Sequence, residues 1–312
     1  MNTTLPLDIA PHIKEAIQQG GPVVALESTI ITHGMEYPTN VQTALQVEQQ
    51  VRLGGGIPAT IAIISGRIKV GVCHEEIEYL GKEGQKCKKC SRRDLSDCLI
   101  KKQNGSTTVS ATMICANLAG IKIFVTGGIG GVHRGAETTF DISTDLIELG
   151  QTQVVVVSSG AKSILDIPKT LEYLETQGVP VVGYKTDKFP EFFISDSGFY
   201  NSTKCDSDKE IAELIYMQFN CLNLQNGILV TVPIPQEQEA DGQKIKNAVD
   251  QALKEAKDQQ IGGSKITPYL LKRINEITEG HSSNSNIALI KNNAFIGGKI
   301  AKELALIQKK KQ

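Results

Sequence analysis

The chain has 312 residues and is 40% hydrophobic, enough for one large core or two small ones. A net charge of −1 and the absence of tryptophan exclude a general attraction to nucleic acid or an acidic membrane, so any anion must be caught by a local site. No apolar run approaches the ~20 residues that cross a bilayer, and Met1 to Ile9 lacks a cationic segment followed by an apolar one; a cytoplasmic protein with no membrane or nucleic-acid partner is expected.

The seven cysteines are odd in number and scattered, which fits reduced thiols better than a disulfide framework. Cys87 and Cys90 form a C-x-x-C, but no second pair stands at zinc-ligand spacing, and this argues against a structural zinc.

Residues 8–19 read as a helix, with Ile9, Ile13 and Ile17 at four-residue spacing. Pro22 then releases an apolar strand, Val23 to Leu26, that ends in Glu27. A carboxylate in that position either pairs with a core cation or is a general acid held at a strand end, and the residues alone leave both open. Thr32 to Met35 forms a loop, and Pro38 to Asn40 supplies a stop and a cap for a helix over Val41 to Leu53, which Gly54 to Gly56 ends. Strands follow at Ala59 to Ile64 and Lys69 to Val72. Between Glu83 and Gly105 periodicity fails, and Lys86, Lys88, Lys89, Arg92 and Arg93 make a basic run. Such a segment is either a solvated surface or a cationic lid over a phosphate.

Thr107 to Val109 introduces a helix over Ser110 to Ala119, whose first N–H groups suit an anion. The strand Lys122 to Thr126 delivers Gly127-Gly128-Ile129-Gly130-Gly131. This is neither a Walker A loop nor a dinucleotide fingerprint, since His133, Arg134, Glu137 and Asp141 follow where a helix should begin. Ser143 reads as an N-cap, with Asp145 in the first turn, where the helix dipole alone accounts for it. Asp141 falls in the loop, where a single carboxylate suits a hard divalent cation that keeps most of its waters. Four consecutive valines in the strand Gln153 to Val157 mark a central parallel strand. Lys162 follows it, with Ser163 as the expected cap of the next helix. A lysine just before a helix N-terminus is disfavoured as a cation, and a neutral amine is a nucleophile.

The C-terminal half continues with strands at Pro180 to Tyr184, Gly227 to Pro233 and Ile287 to Ile290. Helices are expected at Ser207 to Cys221, Gln243 to Lys257, Thr267 to Thr278 and Gly298 to Lys309. Asn284, Asn286, Asn292 and Asn293 cluster around the last strand, and Lys309 to Gln312 reads as a frayed tail. The alternation predicts a single α/β domain over residues 1–312, a three-layer α/β/α sandwich around a mostly parallel, mixed sheet, with a lid-like segment at 83–107. Ligands in such sheets bind beyond the strands' carboxyl ends, which places Glu27, the glycine loop and Lys162 on one rim. An acid, an amine, an anion cradle and a metal-type carboxylate suit carbonyl or imine chemistry on a phosphorylated small molecule.

Leu26-Glu27-Ser28-Thr29-Ile30, Ser91-Arg92-Arg93-Asp94-Leu95, Thr126 to Gly135, Phe140-Asp141-Ile142-Ser143, Gly160-Ala161-Lys162-Ser163 and Ser285-Asn286-Ile287 together resemble the pseudouridine-5'-phosphate glycosidase family, in the same order, from about Pro22 to Lys302. The resemblance implies a metal-dependent C-glycosidase of the lyase class that reversibly converts pseudouridine 5'-phosphate and water to uracil and ribose 5-phosphate. It implies Glu27 as proton donor and Lys162 as a nucleophile forming a Schiff base at C1' of the ring-opened ribose. Asp141 would bind manganese, and Lys89, Val109, Ser143, Thr144 and Asp145 would contact substrate, with His133 and Asn286 in support. A homotrimer is implied as well, and a separate kinase must phosphorylate the nucleoside. Ser158-Ser159 before Gly160, the cysteine-rich Cys87 to Cys90 and a short stretch at Glu237 to Gln243 depart from the expected pattern. The rival readings are a Schiff-base aldolase on another sugar phosphate, and a phosphosugar-binding protein without catalysis.

Overall fold

The structure, a computed structural model, describes residues 5–311. The expectations for Met1 to Thr4 and for Gln312 at the tail lie outside the described residues. Eleven strands form one sheet. They are β1 (Leu7–Ile9), β2 (Val23–Leu26), β3 (Ile57–Ile64), β4 (Arg67–Val70), β5 (Lys88–Cys90), β6 (Gly105–Thr107), β7 (Ile123–Val125), β8 (Val155–Ser158), β9 (Val181–Tyr184), β10 (Thr203–Cys205) and β11 (Ile228–Thr231). The order is β1-β4-β3-β2-β7-β8-β11-β9-β10, with β5 paired to β6 and β6 to β3. Among the strand pairings of the described residues, only β3–β4 and β3–β6 are antiparallel. The sheet is therefore mostly parallel and mixed, as expected. The residues of β2, β8, β9 and β11 are buried throughout, because helices cover both faces.

The helices are α1 (Pro11–Gln18), α2 (Thr39–Leu53), α3 (His74–Glu83), α4 (Leu95–Ile100), α5 (Val109–Ala119), α6 (Ala136–Thr139), α7 (Thr144–Gln151), α8 (Ile167–Thr176), α9 (Asp208–Tyr216), α10 (Gly242–Asp258), α11 (Ile266–Ile277) and α12 (His281–Lys311). One layer packs α12 between α2 and α9, with α12 lying against β2, β7 and β8; α5, α7 and α8 pack in sequence in another. Along the sheet the chain order descends from β4 through β3 to β2, then restarts at β7 and ascends through β8. The crevice between β2 and β7 is the point where strand order reverses, the place where open α/β sheets hold ligands.

Three expectations are corrected. Ile287 to Ile290 is not a strand: it lies inside α12, which also absorbs the helix expected at Gly298 to Lys309 and the tail as far as Lys311. Four apolar residues in a row do not distinguish a strand from a buried turn of helix, and the relevant spacing is the four-residue step Ser285, Leu289, Asn293, Gly297, all buried. The first helix starts at Pro11, because Leu7–Ile9 pairs in parallel with β4. The stretch expected to be irregular between Glu83 and Gly105 is ordered as β5, α4 and β6, elements of three to six residues, too short to show a period. Helix α3 was missing from the expected set, although Ile77 and Leu80 bury one side of it.

Candidate active site

A cleft of about 320 Å³ opens at the strand-order reversal. Every candidate residue named from the sequence lines it: Glu27, Lys89, Val109, His133, Asp141, Ser143, Thr144, Asp145, Lys162 and Asn286. Glu27 leaves the end of β2, and its carboxylate accepts a hydrogen bond from the Thr126 hydroxyl at the end of β7. Burial pushes the Glu27 carboxyl above its ordinary value; the Lys162 charge and the Thr126 bond oppose that shift, while Asp145 adds to it. A carboxyl so placed holds a proton to a higher pH than an exposed one.

The glycine loop and the Lys162 loop are zipped together by their backbones. Ser159 N donates to Gly127 O (2.8 Å), Ile129 N to Gly160 O (3.0 Å) and Lys162 N to Ile129 O (3.1 Å). Gly160 sits at φ +70°, and a Cβ there would lie 1.9 Å from Pro190 O, so neither the backbone nor the space admits a side chain. Lys162 itself departs from one expectation. The next helix, α8, begins at Ile167 and is capped by Asp166, which accepts from Lys169 N (3.1 Å), while Ser163 Oγ instead donates to Glu191 O (2.7 Å). The dipole argument for a neutral amine therefore fails, since helix dipoles act within the first turn.

Lys89, in β5, points into the same cleft. Burial, and then the charge of Lys162, hold its ammonium below the usual lysine range. Among the described residues neither Lys89 nor Lys162 makes an ion pair within 4.0 Å, whereas Lys88 pairs with Asp97 and Arg92 with Glu148. The basic run thus divides: Lys89 and Arg93 face the cleft, and the others are spent on carboxylates elsewhere. Basic side chains that face a cavity without an ion-pair partner suit an anionic group such as a phosphate.

Asp145 does more than sit in a helix dipole. Its Oδ1 accepts from Ser110 N (3.0 Å) in the first turn of α5, and its Oδ2 accepts from Gly130 N (2.8 Å), while its own N–H donates to the Ser143 cap (3.2 Å). It bolts the glycine loop to two helix N-termini, and Gly130 is required because a Cβ would lie 2.3 Å from Ser143 Oγ.

Asp141 lies in the loop before α7, as expected, with its carbonyl accepting from His133 N (3.0 Å). Its carboxylate accepts no hydrogen bond among the described residues and lines the cleft. No group of three or more His, Cys, Asp or Glu side chains among the described residues could enclose a metal. A fully protein-ligated metal does not fit the described residues, and a hard divalent cation at Asp141 would have to draw its other ligands from water and ligand oxygens. Burial lowers the His133 pKa, with Lys162 and Lys89 adding and Asp141 opposing.

The sequence reading missed several lining residues. His33, lowered to about 4 by burial and by Lys89, stands six residues after Glu27 with Nδ1 2.6 Å from Thr32 Oγ1. Phe192 and the α11 residues Thr267, Pro268 and Leu271 line the cleft as well. Arg93, one cation of the candidate lid, does reach the cleft, with Asp94 of the same motif; α11 carries no chemical signal that would have marked it.

The family described as Indigoidine synthase A like protein matches residues 12–303. The chain belongs to this family. Among curated family relatives, "Pseudouridine-5'-phosphate glycosidase" of Caldanaerobacter subterraneus subsp. tengcongensis is 52% identical over 97% of this chain and 98% of its own. The protein of the same name from Petrotoga mobilis is 50% identical over 98% of this chain and 100% of its own. Among solved structures of similar chains, the prealnumycin C-glycosynthase AlnA in complex with ribulose 5-phosphate superposes with a TM-score of 0.89 at 36% identity, covering 97% of this chain and 98% of that one. An indigoidine synthase A-like protein from Thermotoga maritima gives 0.87 at 32%, covering 96% and 97%. The three-layer fold is thus the family's fold. No described helix is long and apolar enough to cross a membrane.

Proposed function

We propose that this chain is a pseudouridine-5'-phosphate glycosidase that cleaves the carbon–carbon glycosidic bond to uracil and ribose 5-phosphate through an imine on Lys162. The observation that carries the reading is the junction of a buried, proton-retaining Glu27 with the Lys162 amine in one crevice, beside the cation Lys89. The names of relatives at 50 and 52% identity support the substrate.

The chemistry follows from the bond. A carbon leaving group cannot depart by protonation of a glycosidic oxygen, so two carboxylates do not suffice. The C1'–O4' bond opens as the Lys162 amine bonds to C1', and the proton that the attacking nitrogen loses goes to O4'. As the bond from C1' to the uracil carbon breaks, Glu27 delivers its proton to that carbon and the lysine nitrogen's lone pair becomes the imine. Water adds to the imine and releases ribose 5-phosphate as the aldehyde, regenerating the amine. One water is consumed and no oxidant is needed. Lys89 and Arg93, with the N-termini of α5 and α7 at Val109 and at Ser143 and Thr144, hold the phosphate and sugar oxygens. Asp141 would hold the divalent cation, manganese in this proposal, which supplies positive charge to substrate oxygens. His133 and Asn286 orient the sugar and base, and the assembly proposed is a homotrimer.

The test is uracil release. Purified protein with manganese should release uracil from pseudouridine 5'-phosphate, but not from unphosphorylated pseudouridine at comparable concentration. An aldolase would leave the nucleotide intact, and a binder would be stabilised by it without turnover; either result rejects the proposal.

A further inference from the structure

Of the α12 asparagines that the chemistry above does not use, one is tied to the loops that carry it. Asn293 is wholly buried. Its Nδ2 donates to the carbonyl oxygens of Thr126 (3.0 Å) and Gly127 (3.3 Å), and its Oδ1 accepts from Ser159 Oγ (3.1 Å). Both amide hydrogens and the amide oxygen are thereby committed. Thr126 closes β7 and carries the hydroxyl that donates to Glu27. Ser159 closes β8 and stands three residues before Lys162, inside the backbone zipper described above. One side chain behind the sheet thus grips the loop after β7, whose Thr126 hydroxyl bonds the acid at the end of β2, and the loop that carries the amine. The helix reaches this depth because Gly297, one turn on, lies against β7: a Cβ there would be 2.2 Å from Val125 Cγ2.

We propose that Asn293 is a positioning residue for the reaction, fixing the separation of Glu27 and Lys162 by clipping together the loops after β7 and β8. The inference rests on the proposed function only in naming those two groups as acid and nucleophile. Asn293 touches no substrate; it acts through Thr126 and Ser159.

Asn293→Asp keeps the size but turns an oxygen toward two carbonyl oxygens. Uracil release should fall on the order of 10- to 100-fold in kcat, the scale of a small misplacement of reacting groups. KM should stay within about 2-fold, since Lys89, Arg93 and the helix N-termini are untouched. With the Thr126 bond loosened, Glu27 keeps its proton to higher pH, so the alkaline limb of kcat should move up, which a loss of folded protein alone would not cause. Amide exchange should quicken at Ile129, Ser159 and Lys162 and stay slow at Leu229 in β11. Ser159→Ala, which leaves the two Asn293 donations in place, covers the case of an unfolded Asn293→Asp; it should lower kcat several-fold without moving the limb. Asn292→Ala, whose amide reaches only Pro233 O at 3.3 Å, should match the unaltered protein. Wild-type kcat and loop exchange in either loop variant overturn the inference. A wild-type protein that releases no uracil overturns the proposed function instead, and the exchange pattern still decides whether Asn293 clips the loops.

Discussion

Removing Arg92 tests how the cleft walls are held. Glu148 of α7 is wholly buried and accepts from Arg92 Nε to Oε2 (2.7 Å), from Arg92 Nη2 to Oε1 (2.9 Å), and from the Thr152 hydroxyl. Arg92→Met leaves that carboxylate with one hydroxyl. Breaking a fully buried pair costs ~3–5 kcal/mol, but the Arg92 side chain is 49% exposed, so water can enter the vacated place and the loss is reduced to about 2–3 kcal/mol. At roughly 2 °C per kcal/mol for a chain of this size, the thermal midpoint should drop by about 4–6 °C. The pair also ties the Ser91 to Asp94 wall to the helix that presents Ser143 to Asp145, so kcat/KM should fall as well. Scanning calorimetry with the Arg92→Met/Glu148→Gln double variant separates the two effects: the double should recover most of the midpoint, because the uncompensated charge is gone. A single variant melting within about 1 °C of the unaltered protein would falsify the argument.

Glu27→Gln should lower uracil release by about 10²–10⁴-fold, the usual range for a lost general acid. Because burial holds the Glu27 carboxyl above its unfolded value, its contribution to stability is full below the ordinary carboxyl range and is lost as pH rises through the folded value. The midpoint of Glu27→Gln relative to the parent should therefore climb with pH; a difference that is flat or falls with pH contradicts the assigned shift. Gly130→Ala drives a Cβ against Ser143 Oγ and Asp145 Oδ2, an overpacking cost of ~1–3 kcal/mol readable in urea melts, and a neutral substitution there would show that the loop is not bolted as described. Asp141→Asn should raise the manganese concentration needed for half-maximal uracil release at least 10-fold, and chelator should abolish turnover in the parent; activity indifferent to both removes the metal from the proposal.

The legible parts of this protein were those in which chemistry and period coincide. The strand ends carrying Glu27, Thr126 and Ser158 were visible because fully apolar runs stop abruptly at polar residues, and the rule for parallel sheets then brings their loops together. What escaped has physical reasons. Strands β5 and β6 are three residues each and owe their existence to pairing, β6 with β3 and β5 with β6, a tertiary fact. The apolar run in α12 is bounded by serines and asparagines that look like strand punctuation, yet Ser285 and Asn293 are buried and spend their side chains on Gln238 O and on the Thr126 and Gly127 carbonyls. In the sequence the helix dipole alone accounts for Asp145, because its two backbone partners, Ser110 and Gly130, belong to segments whose proximity only the fold reveals.

The most direct test of the account is reductive trapping. Protein incubated with ribose 5-phosphate and borohydride, then weighed intact and mapped by peptide, should carry one pentose phosphate on Lys162, and pseudouridine 5'-phosphate should give the same adduct together with free uracil. Folded protein that releases uracil but leaves Lys162 unmodified, or spreads the label over surface lysines, would contradict the imine at the centre of the mechanism.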